Sequence, residues 1–454
     1  MENDKSNEIS LAYGKKEISL DAAHFILICP EIYERNSQEA ILRTAEEKKE
    51  EASRLVNALG VSLKYIYQAN IRKVNPKTFL TEGHIDNLAE IIAEHDAQVA
   101  VVDTTITPVQ QRNLEKILKI KVLDRTGLIL EIFGDRALTK EGRLQVELAH
   151  LIYQKSRLVR TWTHLERQRG GLSFVGGPGE SQLESDRRQI QTRILQLTQH
   201  LEKVRKTRAL HRKGRDAVPF PVVALVGYTN AGKSTLFNKL SDSSVLAKDM
   251  LFATLDPTAR KVCLPSGQEI IMTDTVGFIS NLPTQLVEAF KATLEEVETA
   301  DIILHVRDMS SSAKEAENQD VISILAQLGI DVNEDHRVIE VWNKSDVLSE
   351  DERQALTERI SKLMSTRTDL IASPAPVLIS SFLGDGFDVL EDRIDQIIGR
   401  DDIQMTITLA PSEGKKYAWL CERANIISET FDENYNRILN LKVNKKFIKP
   451  LEDI

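Results

Sequence analysis

The sequence predicts an α/β protein: a nucleotide-binding domain with a doubly wound parallel sheet, preceded by a small α/β domain and an antiparallel helical hairpin. Three observations carry this. The stretch Gly227-Tyr228-Thr229-Asn230-Ala231-Gly232-Lys233-Ser234 has the form G-x-x-x-x-G-K-S, between the apolar run 222–226 and a helix-like run that begins at Thr235. Strand, loop and helix in that order are the setting of a phosphate-binding loop. Short apolar runs alternate with helical patterns over residues 21–135 and again over 217–400, the signature of open α/β sheets. Between those blocks, apolar residues recur at 4-3-4-3 spacing on either side of a glycine-rich stretch, which asks for two long helices and a reversal.

The 454 residues suffice for about three domains. Hydrophobic residues make up 41% and charged residues 28%, the balance of a water-soluble chain with real cores. No apolar run approaches the ~18 residues of a membrane span. Met1-Glu2-Asn3-Asp4-Lys5 lacks the pattern of a secretory leader. Cys29, Cys263 and Cys421 have no metal-ligand spacing and read as reduced thiols. The expectation is a cytoplasmic monomer. A net charge of −9 taken whole argues against a nucleic-acid binder, but residues 155–215 hold 15 Lys and Arg against 5 Asp and Glu. A localised basic face is what phosphate backbones reward.

In chain order, residues 1–20 are polar and aperiodic, a frayed tail. The N-terminal α/β domain, 21–135, is expected to place strands at 25–28, 63–67, 99–102 and 128–130, with helices over 40–59, 84–95 and 109–118. The hairpin occupies 136–216. Its first stripe is Leu144, Leu148, Leu151, Lys155, Leu158, Trp162 and Leu165, and its second is Leu183, Arg187, Ile190, Ile194, Leu197, Leu201 and Val204. Each runs for about three heptads, enough for two helices packed through narrow seams. The tip, 170–179, is too rich in Gly and Pro to be helical. A plain coiled coil explains the apolar stripes. Basic outer faces and a long tip exceed what a spacer needs, so Arg160, Arg167, Arg169, Arg187, Arg188 and Arg193 are candidate RNA contacts. In the domain 217–400 the strands expected are 222–226, 269–273, 302–306, 338–342 and 377–379, with helices such as 284–299 and 351–364 and a ligand at the carboxyl ends of the strands. Residues 401–454 form a small C-terminal α/β domain with strand-like runs at 405–409 and 438–443.

The nucleotide site can be read further. Lys233 would reach the β- and γ-phosphates and the Ser234 hydroxyl would ligate Mg²⁺. Asp274-Thr275-Val276-Gly277 follows an apolar run; its Asp suits the Mg²⁺ shell, and its Gly leaves room for a backbone N–H at the γ-phosphate. Asn343-Lys344-Ser345-Asp346 has the form N-K-x-D after a strand. The Asp346 carboxylate can accept from guanine N1–H and N2–H₂, a donor pair that adenine lacks, so the nucleotide is GTP or GDP. Ser380-Ser381-Phe382, after the last strand, can offer a backbone N–H to guanine O6. Within Phe252-Ala253-Thr254-Leu255-Asp256, Thr254 is the choice for the residue that closes over Mg²⁺ when the γ-phosphate is present, with Thr258 as runner-up. No side chain is assigned as catalytic. Phe278 stands where Ras-like GTPases carry the Gln that orients the attacking water, so unaided hydrolysis should be slow. Asn230 occupies the P-loop position at which some potassium-stimulated GTPases hold K⁺ through an Asn.

The sequence resembles the HflX family of GTPases over most of its length. The likeness is carried by Asp124-Arg125-Thr126 with Ile132-Phe133, by Arg136-Ala137, Glu141-Gly142 and 144–149, by 176–188, and by 252–256. Residues 176–188 form a long segment peculiar to that family. Ser181 and Ser185 stand where Thr is usual, Leu172-Ser173-Phe174-Val175 departs from the more common Ile-Gly-Leu pattern, and Ser381 replaces a typical Ala. The resemblance implies a P-loop GTPase that binds the large ribosomal subunit and its RNA in the GTP state and, in several bacteria, splits stalled ribosomes under stress. It also implies that the N-terminal domain and hairpin reach into the ribosome, the tip towards the peptidyl-transferase region. A GTPase that assists assembly or modification of another RNA is the alternative.

Overall fold

The computed structural model of the chain describes residues 23–33, 43–168, 178–215, 220–241, 251–252, 258–282, 291–332, 334–366 and 375–444. The expected tail and most of the glycine-rich tip lie outside the described residues. The N-terminal domain is a parallel sheet in the order β2-β1-β3-β4, built from β1 (His24–Ile32), β2 (Ser62–Ile71), β3 (Val99–Val102) and β4 (Lys121–Asp124). Its central strands are buried on both faces, which is why residues 25–28 and 99–102 are unbroken apolar runs rather than alternating ones. The helices are α1 (Ala45–Asn57), α2 (Glu82–His95), α3 (Pro108–Leu118) and α4 (Arg125–Arg136). Thr44 opens α1 with a reciprocal cap, its hydroxyl accepting from Glu47 N–H while the Glu47 carboxylate accepts from Thr44 N–H. Thr107 does the same with Gln110 at α3. The fourth strand therefore lies at 121–124, and the run 128–130 belongs to α4, whose residues 125–130 are all buried. A short apolar run enclosed on every side has no periodicity to tell strand from helix.

The hairpin consists of α5 (Lys140–Gln168) and α6 (Pro178–Arg215). Pro178 and Gly179, assigned to the tip by composition, instead open α6, where a proline sacrifices no helical hydrogen bond. Glu147 of α5 meets Arg193 of α6 at 2.7 Å, and Leu197 is fully buried. The seam between the helices is not the whole story of α5. Val146 and Ala149 are buried in a cluster with Phe25, Leu55 and Phe133 of the N-terminal domain, and Tyr153 packs against it, so α5 is rooted there along one face.

The following domain has a six-stranded sheet in the order β10-β9-β8-β5-β7-β6: β5 (Val222–Gly227), β6 (Thr258–Cys263), β7 (Glu269–Asp274), β8 (Ile302–Asp308), β9 (Val338–Asn343) and β10 (Val377–Leu378). Five strands are parallel, and β6, which the sequence does not announce, adds antiparallel to β7 at the edge. Around the sheet lie α7 (Lys233–Leu240), α8 (Lys291–Glu298), α9 (Lys314–Gln327), α10 (Glu350–Thr366) and α11 (Phe387–Ile398). The part of the helix expected at 284–290 lies outside the described residues. The C-terminal unit packs α12 (Gly414–Arg423) on an antiparallel sheet β11-β13-β12, with β11 at Asp402–Leu409, β12 at Ala424–Phe431 and β13 at Arg437–Asn444. One apolar cluster runs without a break from Phe25, Leu55 and Phe133 to Phe252, Val276, Phe278 and Leu294. The first and third domains thus share a core.

Candidate nucleotide site

The loop between β5 and α7 turns through left-handed backbone at Asn230 (φ 61°) and Gly232 (φ 93°). A Cβ on Gly232 would run into the Asn343 side chain, so glycine is required there for space as well as for conformation. Lys233 is buried at the head of α7, and its Nζ donates to the Tyr228 carbonyl at 2.8 Å. Burial pushes its pKa down to about 8, with Asp274 opposing that shift. An ammonium held in a desolvated cradle at a helix N-terminus is prepared for an anion of high charge. Ser234 donates from Oγ to Asp274 Oδ2 at 2.7 Å. An alcohol beside a carboxylate is the oxygen donor set for Mg²⁺, which P-loop GTPases generally use, and these two residues would hold it. Bound there, Mg²⁺ would neutralise phosphate charge.

Gly277 lies across the loop. A Cβ on it would stand 2.9 Å from Thr229 Cγ2 and 3.1 Å from Lys233 Nζ, a proximity that only glycine permits comfortably. The two segments are stitched by backbone bonds: Thr229 N–H donates to Phe278 O at 2.7 Å and Phe278 N–H to Gly227 O at 3.1 Å. Thr275 spends its hydroxyl on Leu225 O within the sheet, and Val276 is buried. The Phe278 side chain, 2% exposed, fills the shared core. The position of the water-orienting Gln is therefore given over to packing.

At the base end, Asn343 joins three motifs. Its Nδ2 donates to Ala231 O at 2.8 Å, and its Oδ1 accepts from both the N–H and the hydroxyl of Ser381 at 2.9 Å. Lys344 adopts left-handed backbone (φ 64°) and its Nζ pairs with Asp308 at 2.6 Å. Ser345 N–H donates to Ile379 O, and Ser380 Oγ donates to Asp346 Oδ1 at 2.6 Å, which orients the carboxylate expected to read guanine. Ser380 N–H donates to Asp385 O. The amides of Ser380 and Ser381 are thus engaged within the protein. Phe382 is exposed.

Not every expected residue faces this site. Phe252 is buried with left-handed backbone and meets Phe133 of α4 edge-on, ring centroids 4.7 Å apart. Ala253, Thr254, Leu255 and Asp256 lie outside the described residues. Thr258 begins β6 opposite Asp274. Tyr228 contributes its carbonyl to Lys233 but turns its ring away, into a polar cluster at the first domain. There the Tyr228 hydroxyl donates to Glu51 Oε1 at 3.0 Å and accepts from Arg43 at 3.1 Å and from Ser280 N–H at 2.8 Å. Arg125 donates to Glu51 at 2.6 Å, to Ser280 Oγ at 2.7 Å, and to Asp103. Burial opposes charge on Arg125, but Asp103 and Glu51 more than offset it and hold its pKa above the usual guanidinium value. For Glu51 burial acts upward, yet Arg125 and Arg43 prevail and hold it below the usual carboxylate range. Burial beside Glu51 keeps the Tyr228 phenol neutral. Glu51, Arg43 and Ser280 carry no sequence motif; Arg125 showed itself only as part of Asp124-Arg125-Thr126.

Among the candidate RNA contacts, Arg187, Arg188 and Arg193 are exposed on α6, with Arg188 paired to Glu184 and Arg193 to Glu147. The side chains of Arg160, Arg167 and Arg169 lie outside the described residues. No helix among the described residues is long and apolar enough to cross a membrane.

Comparison with known proteins agrees with this geometry. Family models described as GTP-binding GTPase N-terminal, GTP-binding GTPase Middle Region and 50S ribosome-binding GTPase match residues 46–134, 136–215 and 222–344 respectively. The GTPase HflX of Magnetococcus marinus is 46% identical over 86% of this chain and 87% of its own. The GTPase HflX of Escherichia coli is 39% identical over 87% and 90%. A Sulfolobus solfataricus GTP-binding protein solved with GDP aligns over 83% of this chain and 99% of its own at 24% identity, with a TM-score of 0.44 that adds nothing to the sequence evidence. With a phosphate loop, an N-K-x-D segment and relatives of this closeness along most of its length, the chain belongs to the HflX family of GTPases and binds and hydrolyses GTP.

Proposed function

We propose that this GTPase binds the large ribosomal subunit in its GTP state, through ribosomal RNA and the basic hairpin, and dissociates stalled ribosomes under stress. The observation that carries the reading is the hairpin itself. Residues 155–215 hold 15 Lys and Arg against 5 Asp and Glu in a chain of net charge −9, and α5 is rooted on the domain that shares its core with the nucleotide site. Counterion release then favours an RNA partner. The match to a family model described as 50S ribosome-binding GTPase supports that choice of RNA. With Phe278 committed to the core, the partner supplies the activation that this position does not. Ser234 and Thr254 would hold Mg²⁺, and Asn230 would hold K⁺ in the phosphate loop; equal turnover in Na⁺ and K⁺ would remove the potassium role.

Co-sedimentation with large subunits tests the reading. Binding should require a non-hydrolysable GTP analogue, weaken steeply with added salt, and be lost in GDP; binding indifferent to nucleotide would overturn it. Selective crosslinking of a non-ribosomal RNA to the hairpin would favour a GTPase acting in the assembly or modification of that RNA instead.

A further inference from the structure

We propose that Arg125 and Glu51, which belong to the N-terminal domain, are positioning residues of the GTP site. Acting through Ser280, they set where Gly277 stands against Lys233, and hence how strongly the site prefers GTP to GDP.

Five facts support this. The sheet of the N-terminal domain is all parallel, and such sheets present a crevice beyond the carboxyl ends of their strands. Asp103, directly after β3, and Arg125, directly after β4, stand at that crevice, and Glu51 reaches it from α1. What fills it is Ser280 of the neighbouring domain: its Oγ accepts from Arg125 at 2.7 Å and donates to Glu51 Oε1 at 2.7 Å, and its carbonyl accepts from Arg125 at 3.2 Å. Ser280 lies three residues after Gly277, and the intervening Phe278 is bonded through its backbone to Gly227 and Thr229. Gly277 and Ser280 are therefore joined by a short segment whose middle is held on the phosphate loop, so the bonds made by Ser280 bear on where Gly277 stands. Finally, every member of the cluster is buried or nearly so, with Ser280 and Arg125 both 6% exposed. Hydrogen bonds to charged groups count for more there than at a wet surface.

The same joint continues towards the hairpin. Asp124, covalent neighbour of Arg125 and 0% exposed, caps α4 through Gly127 N–H and accepts from Tyr153 of α5 at 2.6 Å and from Arg157 of α5 at 2.5 Å. One peptide unit thus carries the contact to Ser280 on one side and the contact to α5 on the other.

Two variants test the assignment in the full chain. Ser280→Ala removes one hydroxyl and leaves Arg125 with both its carboxylates; Glu51→Gln keeps the shape and removes the charge. Affinities for a non-hydrolysable GTP analogue and for GDP are measured for each, and for the double variant. Affinity for the GTP analogue should fall about 5- to 20-fold in each single variant, the scale of an ordinary coupling between sites. Affinity for GDP should change less than about twofold, and the double variant should lose little more than either single. Equal loss for both nucleotides would mean a merely structural role and overturn the proposal, as would affinities that do not move. Neither readout involves a ribosome, so the outcome is independent of co-sedimentation.

Discussion

The two ends of the nucleotide site are built on different principles. At the base end, Asn343, Asp346, Ser380 and Ser381 satisfy one another inside a single domain, through bonds of 2.6 to 2.9 Å that tie β9, the loop after β10 and Ala231 into one unit. At the phosphate end, Phe278 is held on the loop by backbone bonds with Gly277 beside it, and the next anchor, Ser280, is held by residues of another domain. A recognition element that must not move is self-contained. The segment beside the phosphate loop is instead bonded to the neighbouring domain.

The contrast can be tested by substitution. The largest effect is expected for Lys233→Ala, which removes the ammonium expected to face the phosphates. Affinity for GTP and GDP should both fall by roughly 100-fold or more by fluorescence titration, the fold unchanged. Asp346→Asn should lose guanine preference, roughly 100-fold in affinity since two hydrogen bonds to a charged acceptor go, while leaving the response of the first domain intact. Arg125→Ala strands Glu51 and Asp103 without their guanidinium in a buried site. It should cost roughly 3–5 kcal/mol in urea unfolding, the scale of a broken buried pair.

A smaller effect is set by pH. Because burial depresses the Lys233 pKa to about 8 in the folded chain, the nucleotide-free protein loses that proton between pH 8 and the ordinary lysine value, while the unfolded chain keeps it. Stability of the nucleotide-free protein should therefore rise through that window as pH increases. Phosphates favour the charged lysine, so GDP affinity should be level below about pH 8 and decline above it, by at most about tenfold per pH unit. A flat affinity profile from pH 7 to 10 would show that Lys233 keeps its charge without the ligand.

Legibility followed the same division. The phosphate loop, the D-x-x-G segment and the N-K-x-D segment were readable because each is a short run whose chemistry dictates residue types at fixed spacing. The contacts among Arg125, Glu51, Tyr228 and Ser280 were not, because they join positions 52 to 229 residues apart and no local pattern encodes such a meeting. Tyr228 illustrates the limit: its place in the loop predicted a nucleotide contact, and its hydroxyl serves the other domain. Among the elements, β6 escaped because an edge strand with residues 259–261 exposed carries no apolar signature. The run 128–130 misled for the opposite reason, being apolar on every face. Heptad spacing found the hairpin helices but not that Val146, Ala149, Tyr153 and Arg157 root α5 on the first domain.

Amide hydrogen exchange compared between the GTP-analogue and GDP states addresses both ends in one experiment. Protection should differ between the two states at Gly127, whose N–H donates to Asp124, and along residues 149–157 of α5, while the Ser345 and Ser381 amides at the base end exchange alike. Identical exchange over residues 124–157 in the two states would contradict the account, because the γ-phosphate would then be sensed without the first domain or the hairpin registering it.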